Sequence, residues 1–344
     1  MKHLSSPIKG LSFETRDRIT LGFLTFPGFP MACLTSVIEP LRAANEIAAR
    51  EVFSWKVVSE TGASTLSSAK LLFPSDIALQ DALGLEMLFL LSEPDGKFTD
   101  PDAANGKLRY LARHGTKVCA ISGGIFPLAR SGVLDSQTCS VHWCYKTAFE
   151  NEFPDIETTD DVIVLNQRCC TASGAAAAFD LSLHLIELVF GEAVMTEVAC
   201  WFQHPSIRSP GIRQRTPAFE TDDTADHLPS IVSKAIQLFS ENLEFPLTTR
   251  EVAQRVGVSA RHLERSFRKA TGRSPGRYYR LVRLRAAREL VIYTQDAFTS
   301  IASAVGYSNP TSMSRNYSEQ FGSSPRQDRQ ERNRFRVTKN APFN

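Results

Sequence analysis

Val252-Ala253-Gln254-Arg255-Val256-Gly257-Val258-Ser259 returns 49 residues later as Ile301-Ala302-Ser303-Ala304-Val305-Gly306-Tyr307-Ser308. The match then continues at an offset of 50, with Leu263, Arg265, Phe267, Gly272, Ser274 and Pro275 against Met313, Arg315, Tyr317, Gly322, Ser324 and Pro325. Each matched position has a mechanical reason. Ala253 and Ala302 are small enough for a second helix to approach closely. Gly257 and Gly306 suit a turn that needs positive φ. Ser259 and Ser308 are placed to cap the helix that follows. Leu263 with Phe267, and Met313 with Tyr317, are four apart and share a helix face, which pins that helix to a core. The spacing predicts two helix-turn-helix motifs, each with one helix face free to enter a major groove.

The charge distribution agrees. Residues 228–344 hold 20 Lys and Arg against 9 Asp and Glu, whereas residues 1–227 hold 19 against 28. The net charge of +2 therefore hides a basic end and an acidic end. Residues 250–288 alone carry 12 basic and 2 acidic side chains, including Arg277, Arg280, Arg283, Arg285 and Arg288 on the helix between the motifs. Fold motif and charge together point to double-stranded DNA as partner. Arginine can hold guanine bidentately or neutralise a phosphate, and Glu can accept from cytosine N4.

Upstream, strand and helix signals alternate. Arg18–Phe26, Phe53–Glu60, Met87–Ser92, Thr116–Ser122, Val162–Leu165 and Cys169–Ala172 read as strands. Leu34–Ala49, Asn105–His114, Phe126–Ser131, Tyr145–Phe153 and Ala175–Phe190 read as helices. The expected fold is an α/β domain with a mostly parallel sheet in flavodoxin-like layering, followed by an all-α domain with two helix-turn-helix motifs. Pro205, Pro210, Gly211 and Pro217, with the acidic run 220–226, place a linker between them. The expected domains are 18–204 and 228–334, with the linker at 205–227.

Residues 228–334 resemble the DNA-binding domain of the AraC/XylS family of bacterial transcription regulators. The segments Gly306-Tyr307-Ser308-Asn309-Pro310 and Phe321-Gly322-Ser323-Ser324-Pro325 carry the family signature. Where many members have an aromatic residue after Pro310, this chain has Thr311-Ser312-Met313. The resemblance implies a transcription activator that binds promoter DNA and meets RNA polymerase. Its groove-facing residues are Arg261, His262, Glu264, Arg265 and Arg268 in the first motif and Thr311, Ser312 and Arg315 in the second.

Residues 18–204 resemble the PfpI-like, class I glutamine amidotransferase-like domain of the GlxA subgroup of these regulators. The supporting pieces are Phe26-Pro27-Gly28-Phe29, Glu39-Pro40-Leu41, Ser122-Gly123-Gly124, His142-Trp143 and Thr171-Ala172-Ser173-Gly174 with Asp180. Catalytic members of that fold carry a cysteine where Ser122 stands. A serine there needs a nearby base, which His142 could supply. The resemblance implies a degenerate active site retained as an effector pocket, built from Glu39, Ser122, Gly123, His142 and Trp143, with Phe29 and Phe126 as further aromatic faces. Such regulators often respond to amino acids or quaternary amines, so a small zwitterion is the expected effector. The alternatives are a Ser122 hydrolase fused to a DNA-binding module, an architectural DNA binder, and a redox sensor built on Cys169–Cys170.

All seven cysteines lie before residue 228, and none forms a CxxC pair or a His/Cys ligand cluster. Reduced thiols, a cytoplasmic homodimer without membrane attachment, and no cofactor or metal are expected.

Overall fold

The computed structural model describes residues 18–134, 137–166, 169–204, 206–215 and 228–335. Most of the expected linker (205 and 216–227), the polar N-terminus and the tail from 336 onward lie outside the described residues. The chain forms two compact units that part between Gln214 and Arg215.

In the first unit the elements run β1 (Ile19–Thr25), α1 (Met31–Ile47), β2 (Phe53–Ser59), β3 (Thr65–Leu66), β4 (Leu72–Phe73), β5 (Ile77–Ala78), β6 (Met87–Ser92), α2 (Pro101–Arg113), β7 (Lys117–Ser122), α3 (Ile125–Arg130) and β8 (Cys139–Ser140). They continue as α4 (Lys146–Glu152), β9 (Thr158–Thr159), β10 (Ile163–Leu165), β11 (Cys169–Ala172), α5 (Ala175–Phe190) and α6 (Glu192–Trp201). Seven strands make one sheet in the order β10-β11-β7-β6-β1-β2-β5. It is parallel throughout except where β10 meets β11. Every residue of β6 is buried, as is all of β1 but Thr20. Continuous apolar strands of this kind require cover on both faces. Leu21, Phe23, Phe89 and Ile121 share one core with α1, α5 and α6.

Helix α2 begins at Pro101, four residues ahead of the expected start. Asp100 accepts from the Ala103 amide at 3.1 Å, and a proline in the first turn needs no N–H partner. The two-residue strands β3, β4 and β5 are too short to show a period, and α6 follows α5 after a single left-handed Gly191 (φ +86°).

The adjacent pair Cys169 and Cys170 points to opposite faces of β11, as neighbours on a strand must. Cys170 instead meets Cys119 across the β7–β11 pairing, with the sulfurs 2.6 Å apart. Burial pushes the Cys169 thiol up to about 11 and that of Cys170 well above the ordinary thiol range. Both are therefore thiols rather than reactive thiolates at neutral pH.

The second unit is helical: α7 (Ser230–Glu241), α8 (Thr249–Val256), α9 (Ala260–Thr271), α10 (Pro275–Tyr293), α11 (Phe298–Ala304), α12 (Pro310–Phe321) and α13 (Pro325–Phe335). Among the described residues no helix is long and apolar enough to cross a membrane.

Candidate nucleic-acid interface and ligand site

The paired helices α8–α9 and α11–α12 occupy the two repeated segments. Thr248 and Glu251 close a capping box at the start of α8. Gly257 and Gly306 turn with φ of +78° and +70°. Ser259 caps α9 by accepting from the His262 amide at 3.2 Å. In the second motif that task falls to Asn309, which accepts from the Ser312 amide at 2.8 Å, and not to Ser308. The extra residue that changes the repeat offset from 49 to 50 lies at this cap.

Leu263 and Phe267 are fully buried, as are Met313 and Tyr317. The outer faces of α9 and α12 are thereby left to solvent. Arg261, His262, Arg265 and Arg268 are exposed on α9, and Thr311 and Arg315 on α12, while Glu264 and Ser312 are half-buried. Arg261 and Arg265 are one turn apart and present one edge, which Arg268 extends. Glu264 pairs with Arg268 at 3.1 Å, so its carboxylate is engaged in the unbound protein.

The basic face of α10 is smaller than its sequence suggests. Arg277 and Arg280 are exposed, but Arg283, Arg285 and Arg288 are half-buried. Arg288 pairs with Asp328 at 2.9 Å, and Arg283 donates to backbone carbonyls. Desolvation pushes the Arg283 and Arg285 pKa values down from the ordinary guanidinium range.

In the first unit, Ser122 ends β7 with φ of +56°, a left-handed backbone that strains a residue bearing a Cβ. It places the side chain at the carboxyl edge of the sheet, where open parallel sheets bind ligands. A Cβ on Gly123 would overlap the backbone of Ser92 and Glu93, and one on Gly124 the Leu90 carbonyl. The turn therefore requires glycine at both positions for space rather than for φ.

The Ser122 hydroxyl lies 2.6 Å from the Tyr145 hydroxyl. Its other neighbour is Cys33, in the first turn of α1. Burial pushes that thiol up to about 12, with the Ser122 hydrogen bond partly opposing the rise. His142 Nδ1 is engaged within its own turn. It accepts from the Cys144 amide at 3.2 Å, capping a short 3₁₀ turn, and lies 3.0 Å from Cys144 Sγ. Its ring stacks on Tyr145 with centroids 5.3 Å apart and tilts against Trp143 at 5.5 Å. Burial pushes the His142 pKa down, so the imidazole is neutral at neutral pH.

Three sequence expectations change here. Glu39 lies six residues beyond Cys33 on α1, roughly 240° round the helix. Its carboxylate pairs with Arg42 at 3.0 Å on the partly exposed side. Cys33, which no motif marked, is the residue of α1 that meets Ser122. Phe29 and Phe126 are fully buried in aromatic clusters with Phe73 and with Tyr145 and Phe149. They offer no open ring face, whereas Trp143 is partly exposed.

The chain leaves this unit along a strap beside the same loop. Gln214 Nε2 donates to the Val141 carbonyl at 2.7 Å, and the Trp143 amide donates to Gln214 Oε1 at 3.0 Å. One side chain thus clasps the backbone on both sides of His142. Upstream, Asp180 on α5 has no exposed surface, and it accepts from His204 Nε2 at 2.8 Å and Arg208 Nε at 2.6 Å. These bonds tie His204, Arg208 and Gln214 to the first unit, past the expected linker start at 205. A shallow groove of about 340 Å³ near Arg18, Arg42 and Trp55 lies at the amino ends of β1 and β2, the opposite sheet edge from Ser122.

Comparison with known proteins places both regions. A helix-turn-helix domain family matches residues 252–331, and the DJ-1/PfpI family matches residues 92–188. The HTH-type transcriptional regulator GbdR of Pseudomonas aeruginosa is 31% identical over 93% of this chain and 87% of its own length. The HTH-type transcriptional regulator GlxA of Rhizobium meliloti is 30% identical over 91% of this chain and 96% of its own. Among solved structures, an AraC family transcriptional regulator from Pseudomonas putida is 23% identical with a TM-score of 0.49, covering 54% of this chain and 99% of that one.

Proposed function

Since the chain belongs to the AraC-type HTH transcriptional regulators that carry a DJ-1/PfpI domain, we propose that this DNA-binding regulator is a metabolite-controlled activator. Residues 18–204 sense the effector, and residues 228–334 contact promoter DNA. Arg261, His262, Glu264, Arg265 and Arg268 work in one major groove and Thr311, Ser312 and Arg315 in the next, about 34 Å along the same duplex face. The observation that carries this reading is the pair of capped helices, each pinned by two buried side chains, with arginine on both outward faces. The regulator acts in the cytoplasm as a homodimer and recruits RNA polymerase.

The effector is a small zwitterion held by Ser122, Gly123, His142 and Trp143. Trp143 offers its ring to an ammonium group, and the glycine-turn amides and the Ser122 hydroxyl offer hydrogen bonds to a carboxylate. The sensor reading is favoured over hydrolysis because the Ser122 hydroxyl lies beside a phenol and a neutral thiol, and His142 Nδ1 is engaged by Cys144. Gln214 gives an occupied loop a direct hold on the last residue before the second unit.

Calorimetric titration of the full chain with α-amino acids and N-methylated ammonium carboxylates tests the site. Saturable heat from at least one compound is expected, weakened tenfold or more in Trp143→Ala. Heat unchanged in Trp143→Ala and Ser122→Ala would move the effector elsewhere. Ester or amide turnover abolished by Ser122→Ala would replace the sensor reading with the hydrolase.

A further inference from the structure

Helix α10 carries two polar side chains one turn apart, Tyr279 and Arg283, and neither points to solvent. Tyr279 donates its hydroxyl to the Asn242 carbonyl and accepts from the Leu247 amide at 3.3 Å. It thereby fixes the loop that leads into α8 of the first motif. Arg283 donates Nε to the Val305 carbonyl at 2.6 Å and a terminal nitrogen to the Gly306 carbonyl at 2.5 Å. Its guanidinium carbon lies 4.4 Å from the centre of the Tyr307 ring. The carbonyls at the end of α11 lack intrahelical partners, and Arg283 supplies them.

These two anchored segments also touch each other. A Cβ built on Gly306 would stand 2.5 Å from the Leu243 carbonyl oxygen and 2.6 Å from Pro246. A Cβ on Gly257, the matching turn of the first motif, would meet nothing within 4 Å. The second motif's turn is thus pressed onto the first motif's loop, with α10 holding both from beneath. Among the described residues the first motif's turn has no such partner. This asymmetry is invisible in the repeat, where the two glycines are equivalent.

We infer that Arg283 is a positioning residue: with Tyr279 and Gly306 it fixes the helical phase between α9 and α12, and it is not a phosphate contact. A guanidinium is required because two adjacent carbonyls and an aromatic face must be met by one planar group. A lysine ammonium offers neither the fork nor the stacking plane. The inference rests on the reading of α9 and α12 as the two groove-entering helices.

The test uses the full chain and a duplex recovered by selection from a randomised library, remade with one to four base pairs inserted between its two half-sites. Each insertion turns one half-site by roughly 34–36° relative to the other. The unaltered protein is expected to lose about tenfold or more in affinity by two or three insertions. Arg283→Lys and Gly306→Ala are expected to bind the parent duplex several-fold more weakly and to lose less than about threefold across the series. Gly257→Ala, which bears the same left-handed φ without the collision, keeps the steep profile. The salt dependence of Arg283→Ala stays parallel to that of the unaltered protein, whereas Arg280→Ala lowers the log–log slope by about 1.

A steep spacing profile retained in both Arg283→Lys and Gly306→Ala, a slope lowered by about 1 in Arg283→Ala, or a flat profile in the unaltered protein would each overturn the proposal. Selection that recovers no preferred duplex at all would instead remove the DNA-contact reading beneath it.

Discussion

Replacing both Arg265 and Arg315 by alanine lowers affinity for the preferred duplex by roughly 10²- to 10⁴-fold. Each side chain stands on the exposed face of a helix proposed to enter a major groove, two residues beyond a fully buried anchor (Leu263 or Met313). A bidentate guanine contact discriminates by about 1–3 kcal/mol. The two arginines lie on different helices and share no partner among the described contacts, so their losses add. Neither removal disturbs the core, because Phe267 and Tyr317 remain to pin the helices. Gel-shift titration against the preferred duplex and against random competitor separates two roles. A base reader loses preference, whereas a phosphate contact weakens both duplexes equally and flattens the salt dependence by about one unit of slope per residue.

The second large effect is on stability. Asp180 is wholly buried, and its two oxygens serve His204 and Arg208. Asp180→Ala leaves the Arg208 guanidinium, about one-third exposed, without its carboxylate. Removing one partner of a buried ion pair costs about 3–5 kcal/mol, and the exposure of Arg208 puts the expected loss at the lower end of that range. All three tryptophans of the chain, Trp55, Trp143 and Trp201, lie before residue 215, so their fluorescence follows the first unit alone. Urea unfolding read by tryptophan emission should shift to lower denaturant in Asp180→Ala, with a smaller shift in Asp180→Asn. Far-ultraviolet circular dichroism should retain a second transition, from the helical unit, at its original midpoint. Coincident unfolding of both units at an unchanged midpoint would contradict the structural role of Asp180.

The second unit was the more legible from sequence because its elements repeat. Duplication shows which positions are mechanical, and Gly257 with Gly306, or Phe267 with Tyr317, can be read off by comparison within one chain. The departures come where the copies differ. One inserted residue moves the second cap from Ser308 to Asn309. The inward turn of Arg283 and Arg288 depends on carbonyls and a carboxylate supplied by α11 and α13, which no local pattern announces.

In the first unit the long strands were legible from continuous apolar runs. The two-residue strands were not, since a period needs more than one repeat to register. At the site, Ser122 and its glycines were marked by a strand running into a helix. Cys33 was not marked, because its relation to Ser122 spans 89 residues and arises only when α1 packs beside β7. Glu39 shows the converse. A carboxylate near a motif invites a role, but its place on α1 directs it to Arg42.

Footprinting of the full chain on its selected duplex bears most directly on the claim that α9 and α12 enter neighbouring major grooves. Two protected patches on one face of the duplex, centred about 10–10.5 base pairs apart, with affinity falling steeply as salt rises, are the expected result. Protection confined to a single groove, or no preference over random competitor at low ionic strength, would contradict it.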